Sequence, residues 1–185
     1  DKPFEMLVAG VGGTGVVTIG ALVTMAAHLE GKGASTLDFM GFAQKGGAVM
    51  SHLRIAPRPE DIQTTRIAPG GADLLLGCDL VGAGGKEALI TLAPGRAHAV
   101  VNAHETMTGD FTRQADFSLP AEALKRAIVK VAGERATIAE GTRLATALLG
   151  DAIATNLFMV GVAYQKGLLP VSAAVYASLL RNRSY

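Results

Sequence analysis

The 185-residue sequence predicts an α/β fold: a Rossmann-like, doubly wound, mostly parallel sheet with helices on both faces and a C-terminal helical segment. Three observations predict it. Short apolar runs alternate with helical stretches, a glycine turn joins the first run to the first helix, and the chain beyond residue 141 reads as helix. At this length one hydrophobic core is expected, so residues 1–185 are read as a single domain.

Phe4 to Ala9 is an apolar run closed by Gly10 and reads as a buried strand. Thr14 to Glu30 follows as a helix, apolar on all sides, with Gly31 as its C-cap. Ala34 to Phe39 reads as a second strand, which makes the opening a βαβ unit and predicts a parallel sheet with a right-handed crossover. After a loop from Gly41 to Gly47, Val49, Ser51, Leu53 and Ile55 alternate with Ala48, Met50, His52 and Arg54, the pattern of a half-exposed strand. Pro57, Pro59, Pro69, Gly70 and Gly71 mark residues 56–72 as a turn-rich connection with one short strand near Arg66 to Ala68. The alternation then resumes with a strand from Asp73 to Cys78, a helix from about Gly84 to Leu92 and a strand from Ala97 to Asn102. Residues 103–119 read as loop, Pro120 opens a helix to about Val131, and Ala136 to Ala139 forms a last strand. Helices over Thr142–Leu149, Asp151–Lys166 and Val171–Leu180 finish the chain, separated by Gly150 and by Gly167 to Pro170.

Composition excludes several function classes. With 17 basic and 16 acidic side chains scattered along the chain, no electrostatic footprint for nucleic acid is visible. The single cysteine, Cys78, cannot close an internal disulfide or hold an iron–sulfur cluster or zinc site, so any cluster belongs to another chain or domain. The longest uncharged apolar runs, Val16 to Leu29 and Ala152 to Gln165, fall short of the roughly twenty residues that cross a bilayer. No basic segment followed by an apolar one opens the sequence, so no membrane partner is expected and the cytoplasm is the expected compartment. Charged residues are 18% against roughly 25% in an average globular protein. Two readings stand: part of the surface faces a partner, or a sheet covered on both faces simply has a large core. The opening at Asp1, without a methionine and almost directly in a strand, reads as a domain excised from a larger fused chain.

Gly10-Val-Gly-Gly-Thr-Gly15 satisfies G-x-G-x-x-G between a predicted strand and a predicted helix. Gly10 permits a tight turn, Gly12 and Gly13 leave room for backbone to approach a pyrophosphate, and Gly15 lets the helix pack on the strand. The helix N-terminus offers free N–H groups to an anion. Asp38, 23 residues after Gly15, ends the second strand, where a dinucleotide-binding protein keeps an acid for the ribose. NAD, another phosphate-bearing ligand and a purely structural turn all remain open. In Gln44-Lys45-Gly46-Gly47 a lysine sits among residues able to form an anion-binding backbone concavity; a solvated turn lysine is the alternative.

The segment Gly10-Val-Gly-Gly-Thr-Gly-Val-Val-Thr-Ile-Gly20, followed by Asp38-Phe-Met-Gly-Phe-Ala-Gln-Lys-Gly-Gly-Ala-Val-Met-Ser-His-Leu-Arg54, resembles the gamma-type domain of indolepyruvate:ferredoxin oxidoreductases, within the pyruvate/2-oxoacid:ferredoxin oxidoreductase superfamily. Further matches are Ala72-Asp-Leu-Leu-Leu-Gly-Cys-Asp79, the strand end at Val100-Val-Asn102, and Leu149-Gly-Asp-Ala-Ile-Ala-Thr-Asn156 leading to Tyr164-Gln-Lys-Gly-Leu-Leu-Pro170. The likeness covers nearly the whole chain, and Gly-Phe-Ala-Gln-Lys-Gly-Gly is its most specific part. The resemblance implies a parent enzyme that decarboxylates arylpyruvates with thiamine diphosphate, passes electrons through 4Fe-4S clusters to ferredoxin, and forms an acyl-CoA thioester. It implies for this domain an assembly role and a face toward coenzyme A, with thiamine diphosphate and clusters elsewhere. Its partners would be the remaining domains or subunits of the oxidoreductase, ferredoxin through the parent enzyme, and a second copy in a homo-oligomer. Gly150-Asp151 is followed by Ala152, so no thiamine diphosphate motif opens there. The family continues past the Pro170 helix whereas this sequence stops at Tyr185, again as expected of a fragment.

Other chemistry is sparse. His28, His52, His98 and His104 share no ligand spacing. His52 and Arg54 share a strand face and are read either as a solvated face or as contacts for an anion. Cys78, ending an apolar strand, reads as a buried small hydrophobe, and Asp73, Asp79 and Glu87 as strand ends and helix surface. No catalytic or metal-ligating residue is assigned. The isolated chain is therefore expected to oxidise no oxoacid and to bind no NAD or NADP.

Overall fold

The computed structural model describes residues 2–40, 47–105 and 121–181. Strands β1 (Phe4–Val11), β2 (Gly33–Met40), β3 (Ala48–Ala56), β4 (Leu74–Gly77), β5 (His98–Asn102) and β6 (Ala136–Ala139) form one sheet in the order β2-β3-β1-β4-β5-β6. Helices α1 (Val16–Leu29), α2 (Leu80–Gly84), α3 (Lys86–Leu89), α4 (Ala121–Ala132), α5 (Gly141–Leu149), α6 (Thr155–Gln165) and α7 (Ala173–Arg181) cover it. None of the described helices is long and apolar enough to cross a membrane.

The sheet is mostly parallel, as expected, with β1, β4, β5 and β6 paired in parallel. The opening βαβ unit needs correcting. β1 and β2 run in the same direction with α1 between them, yet they are not neighbours: β3 returns from β2 and lies between the two, antiparallel to both. The reason is connectivity. A strand that follows its predecessor through a short loop can zip along it at once, as Met40↔Val49 through Gly33↔Ala56 do, and its other edge then takes β1.

Central strands are apolar throughout because each face buries one half of their side chains. Met6 and Val8 of β1, with Leu74 and Leu76 of β4, pack against Val16, Ile19 and Val23 of α1 and Met159 and Ala163 of α6. Leu7 and Ala9, with Leu75, face the opposite core with Leu80 and Ala83 of α2 and Ile128 of α4. Burying each large apolar side chain here stabilises the fold by about 1.5–3 kcal/mol.

The half-exposed reading of β3 is also overturned: Ser51, His52 and Leu53 are all buried. On one side α1 lies so close that a side-chain carbon at Gly20 would sit 3.1 Å from Ser51 Cβ. On the other, Ile67 N–H donates to His52 Nδ1 at 3.2 Å. Arg54 Nε donates to Glu5 Oε1 at 2.8 Å, and Glu5 is 1% exposed, so the His52–Arg54 face is not a solvated one and Arg54 is not free for an anion. Arg66 to Ala68 is not a strand; the connection carries a 3-10 turn at Pro59–Asp61 and a single bridge from Ala72 to Leu92. The helix expected over 84–92 begins earlier and is broken: α2 starts after Asp79, and Gly85 is extended between α2 and α3. The helix expected from Asp151 starts with a 3-10 turn, Ala152–Ala154, because the Asp151 carboxylate accepts from Ile153 N–H at 2.9 Å.

A clamp joins the end of α1 to the loop before α7. Glu30 accepts from Lys32 Nζ at 2.8 Å and from Ser172 N–H at 2.6 Å, while Lys32 also donates to the Pro170 carbonyl. Those hydrogen bonds, from Lys32 first and then Ser172, lower the Glu30 carboxyl to about 2. A depressed carboxyl pKa means that its stabilisation is complete above the unfolded value near 4.5 and is lost as pH falls toward 2. Glu30→Gln is expected to cost about 1–2 kcal/mol at pH 7 and much less at pH 2, measured by urea denaturation across pH. An equal loss at both pH values would remove the charge from this account.

Candidate functional site

The carboxyl ends of β1, β4 and β5 and the N-termini of α1 and α5 surround a cleft of about 680 Å³. Such a position, outside the strand ends where the chain turns to opposite faces, is where open α/β sheets bind ligands.

The glycine turn forms one wall. Gly13 and Gly15 have φ of 89° and 86°, left-handed conformations that only glycine adopts readily. Thr14 N–H and its hydroxyl both return to the Val11 carbonyl, at 3.1 and 2.6 Å, closing the turn. Asn156 of α6 donates to the Thr14 carbonyl, so the turn is tied to the far wall of the cleft. Gly10 is needed for packing: a side chain there would run into Thr14, Val16 and Asp79. Gly12 differs from the reading of the motif, because its N–H donates to the Gly47 carbonyl at 3.0 Å. That bond puts the end of the second glycine loop on the same rim as the first. Gly41, Gln44, Lys45 and Gly46 lie outside the described residues.

Asp38 is not part of the cleft. It accepts from Ser51 Oγ on β3, at the level of Val8 on β1 and two strands away from it, roughly 10 Å across the sheet. The acid that the spacing marked for a ribose is thus displaced by the inserted β3.

Two polar residues at strand ends hold the cleft together, and neither was assigned a role from sequence. Asn102, buried at the end of β5, donates to the Cys78 carbonyl at 3.0 Å and to Thr142 Oγ1 at 2.9 Å, and its own oxygen accepts from Thr142 N–H at 3.2 Å. It thereby fixes the start of α5 against β4 and β5. Asp79 is fully buried, not a surface carboxylate. It accepts from Val11 N–H at 2.5 Å and Gly82 N–H at 2.7 Å, joining β1 to α2. Burial raises its pKa, and the N–H donors of Gly82, Val11 and Val81 oppose that rise. The signal for both lay in the sequence, as a polar residue closing an apolar strand. Cys78 is buried as expected, and burial, with Asp79 beside it, pushes its thiol up to about 12, so it is no nucleophile at neutral pH.

The described lining holds no lysine, arginine or carboxylate; its polar groups are the hydroxyls of Thr14, Thr18, Thr142 and Thr155, the amides of Asn102 and Asn156, and His104. Apolar Ile19, Leu22, Ile153 and Leu157 complete it. An anion entering here would meet helix N-termini and neutral donors.

Residues 5–184 match the model of the pyruvate ferredoxin/flavodoxin oxidoreductase family. The chain belongs to that family. A stretch of 72 residues is 36% identical to the indolepyruvate oxidoreductase subunit IorB of Archaeoglobus fulgidus, spanning 39% of this chain and only 34% of that subunit. Among solved structures, this member of the pyruvate ferredoxin/flavodoxin oxidoreductase family superposes on the pyruvate oxidoreductase subunit PORC of Thermotoga maritima with a TM-score of 0.66 at 16% identity, over 100% of this chain and 87% of that one. The gamma subunit of a keto/oxoacid ferredoxin oxidoreductase from Geobacter sulfurreducens gives 0.64 at 19% identity, over 98% and 87%. A 2-oxoglutarate:ferredoxin oxidoreductase from Magnetococcus marinus, solved with 2-oxoglutarate, coenzyme A and succinyl-CoA bound, gives 0.62 at 16% identity, over 97% of this chain and 27% of that one. At these identities the structural matches speak for the fold.

Proposed function

We propose that the chain is the gamma-type domain of an indolepyruvate-type 2-oxoacid:ferredoxin oxidoreductase, an assembly piece whose cleft faces coenzyme A while arylpyruvate decarboxylation takes place on other domains. The family match over residues 5–184 carries this reading. The cleft supports it, since its volume lies within the range of small-molecule sites and Gly12, next to its glycine wall, bonds to Gly47. Thiamine diphosphate and 4Fe-4S clusters belong elsewhere in the parent enzyme. Asp151 is engaged in capping Ile153 N–H, and Cys78 is buried, in keeping with ligands for both groups on other domains.

An apolar surface supports assembly. Leu148, Leu149, Ile153 and Leu157 are between 38% and 86% exposed, and the last two line the cleft. Burying them against the remaining domains, or against a second copy in a homo-oligomer, would remove them from water. Ferredoxin would be met through the parent enzyme, in the cytoplasm.

The test uses the assembled oxidoreductase. If the second glycine loop presents Lys45 to coenzyme A, Lys45→Ala lowers turnover or raises the KM for coenzyme A by about 10-fold or more, the loss of one charge-assisted contact worth about 1.5–3 kcal/mol when desolvated. Gly46→Val should do more damage, because a β-branched side chain resists the positive φ that such a loop uses. Wild-type steady-state constants for Lys45→Ala would leave the lysine a solvated turn residue and the loop without a coenzyme A role.

A further inference from the structure

On the face of the sheet that carries Leu7 and Leu75, a second cavity of about 450 Å³ opens between the β2–β3 edge and α3. It shares no lining residue with the cleft. His52 lies at its base, 4% exposed. Its Nδ1 accepts the Ile67 N–H, so the neutral ring carries its proton on Nε2 and can donate it. Phe39 meets His52 edge to face at 5.0 Å and holds the Arg66 guanidinium over its own ring at 5.3 Å. Burial first, and then the charge of Arg66, lower the His52 pKa and keep the ring neutral.

Glu87 of α3 and Ile90, which follows that helix, also line the cavity. Among the described residues neither Arg66 nor Glu87 joins an ion pair, although other exposed charges such as Arg58 and Lys125 do. Met40 and Ile90 are 70% and 54% exposed, and Met50 lines the cavity with them. A cation and an anion that form no ion pair among the described residues thus line one trough with a buried N–H donor and flexible apolar side chains. That pattern complements a small zwitterion with an apolar tail.

We propose that this cavity binds a free α-amino acid with an apolar or aromatic side chain, its carboxylate on Arg66 and His52, its ammonium toward Glu87, and its side chain against Met40, Met50 and Ile90. Such an amino acid is the amino counterpart of a 2-oxoacid, which would let the domain sense the supply of substrate. That link rests on the proposed function; the binding itself does not.

The intact protein is titrated with L-phenylalanine by calorimetry and NMR, with phenylacetate, which lacks the ammonium, and phenethylamine, which lacks the carboxylate, as controls. L-Phenylalanine is expected to bind with a Kd of about 1 mM or tighter and each control about tenfold more weakly. Arg66→Gln and Glu87→Gln should each weaken L-phenylalanine about tenfold at unchanged Tm, while Glu87→Gln leaves phenylacetate as it was. No saturable change in the His52 or Phe39 resonances up to about 10 mM ligand would overturn the site. Phenylacetate binding as tightly as L-phenylalanine would overturn the zwitterion assignment. Because binding is read directly, failure here leaves the oxidoreductase reading intact, and wild-type kinetics of Lys45→Ala leave this site intact.

Discussion

Gly82→Ala is expected to destabilise the protein by about 3 kcal/mol or more, because the added carbon has nowhere to go. It would lie 2.4 Å from Gly10 Cα, 2.6 Å from Gly10 C and 2.7 Å from Gly10 N. All three are backbone atoms of β1, which is held by β3 on one side and β4 on the other. Nor can α2 retreat, since Asp79 anchors its first turn to Val11 N–H. The two glycines, 72 residues apart, let α2 lie directly against β1 beside the glycine turn. Gly85→Ala is the control. Its nearest neighbour is a carbonyl oxygen at 3.5 Å and its φ of −66° suits any residue, so a change under about 1 kcal/mol is expected. Guanidinium denaturation of the two variants decides the matter: similar midpoints would show that α2 is not pressed against Gly10.

Arg54→Met is expected to cost about 3–5 kcal/mol, and adding Glu5→Leu should recover most of that loss. The Glu5 side chain is 2% exposed and its carboxylate is held by Arg54, with Lys2 at 3.1 Å on the open side. Removing Arg54 strands a carboxylate in a setting that water barely reaches, and desolvation then outweighs what Lys2 returns from the surface. Two apolar side chains in the same place carry no such penalty. Arg54 also donates to Thr64, so its loss frees part of the connection between β3 and β4. A double-mutant cycle by urea denaturation gives the coupling. If Arg54→Met alone lost under about 1 kcal/mol, solvent would be reaching Glu5 and the pair would count as a surface salt bridge.

The same pair shows where sequence reading stops. Alternation along residues 48–55 is the ordinary mark of a half-exposed strand, and here it marks a buried one. His52 and Arg54 look solvated until their partners are known, and those partners, Ile67 and Glu5, stand 15 and 49 residues away. Asp38 misleads for a related reason. Its distance along the chain from Gly15 fits a ribose acid, but that fit assumes that β2 lies beside β1, and β3 takes the place. Gly12 fits a phosphate loop by pattern, yet its N–H is engaged by Gly47. Asn102 and Asp79 were visible as polar residues at strand ends, and only the meeting of β5 with α5 and of β1 with α2 gave them partners.

By itself the sequence determined the α/β class, nearly every strand, the helices at the C-terminal end and the family, because these depend on local propensity, apolar runs and short motifs. The motif also placed Gly13 and Gly15 in the turn between strand and helix, but the positive φ of both came from the structure. The tertiary structure alone decided the order of the strands, the burial of β3, the Gly10–Gly82 contact and which polar groups face the cleft. Those are properties of pairs distant in sequence, brought together by the joint burial of two apolar faces. No single residue carries a mark of where its partner lies.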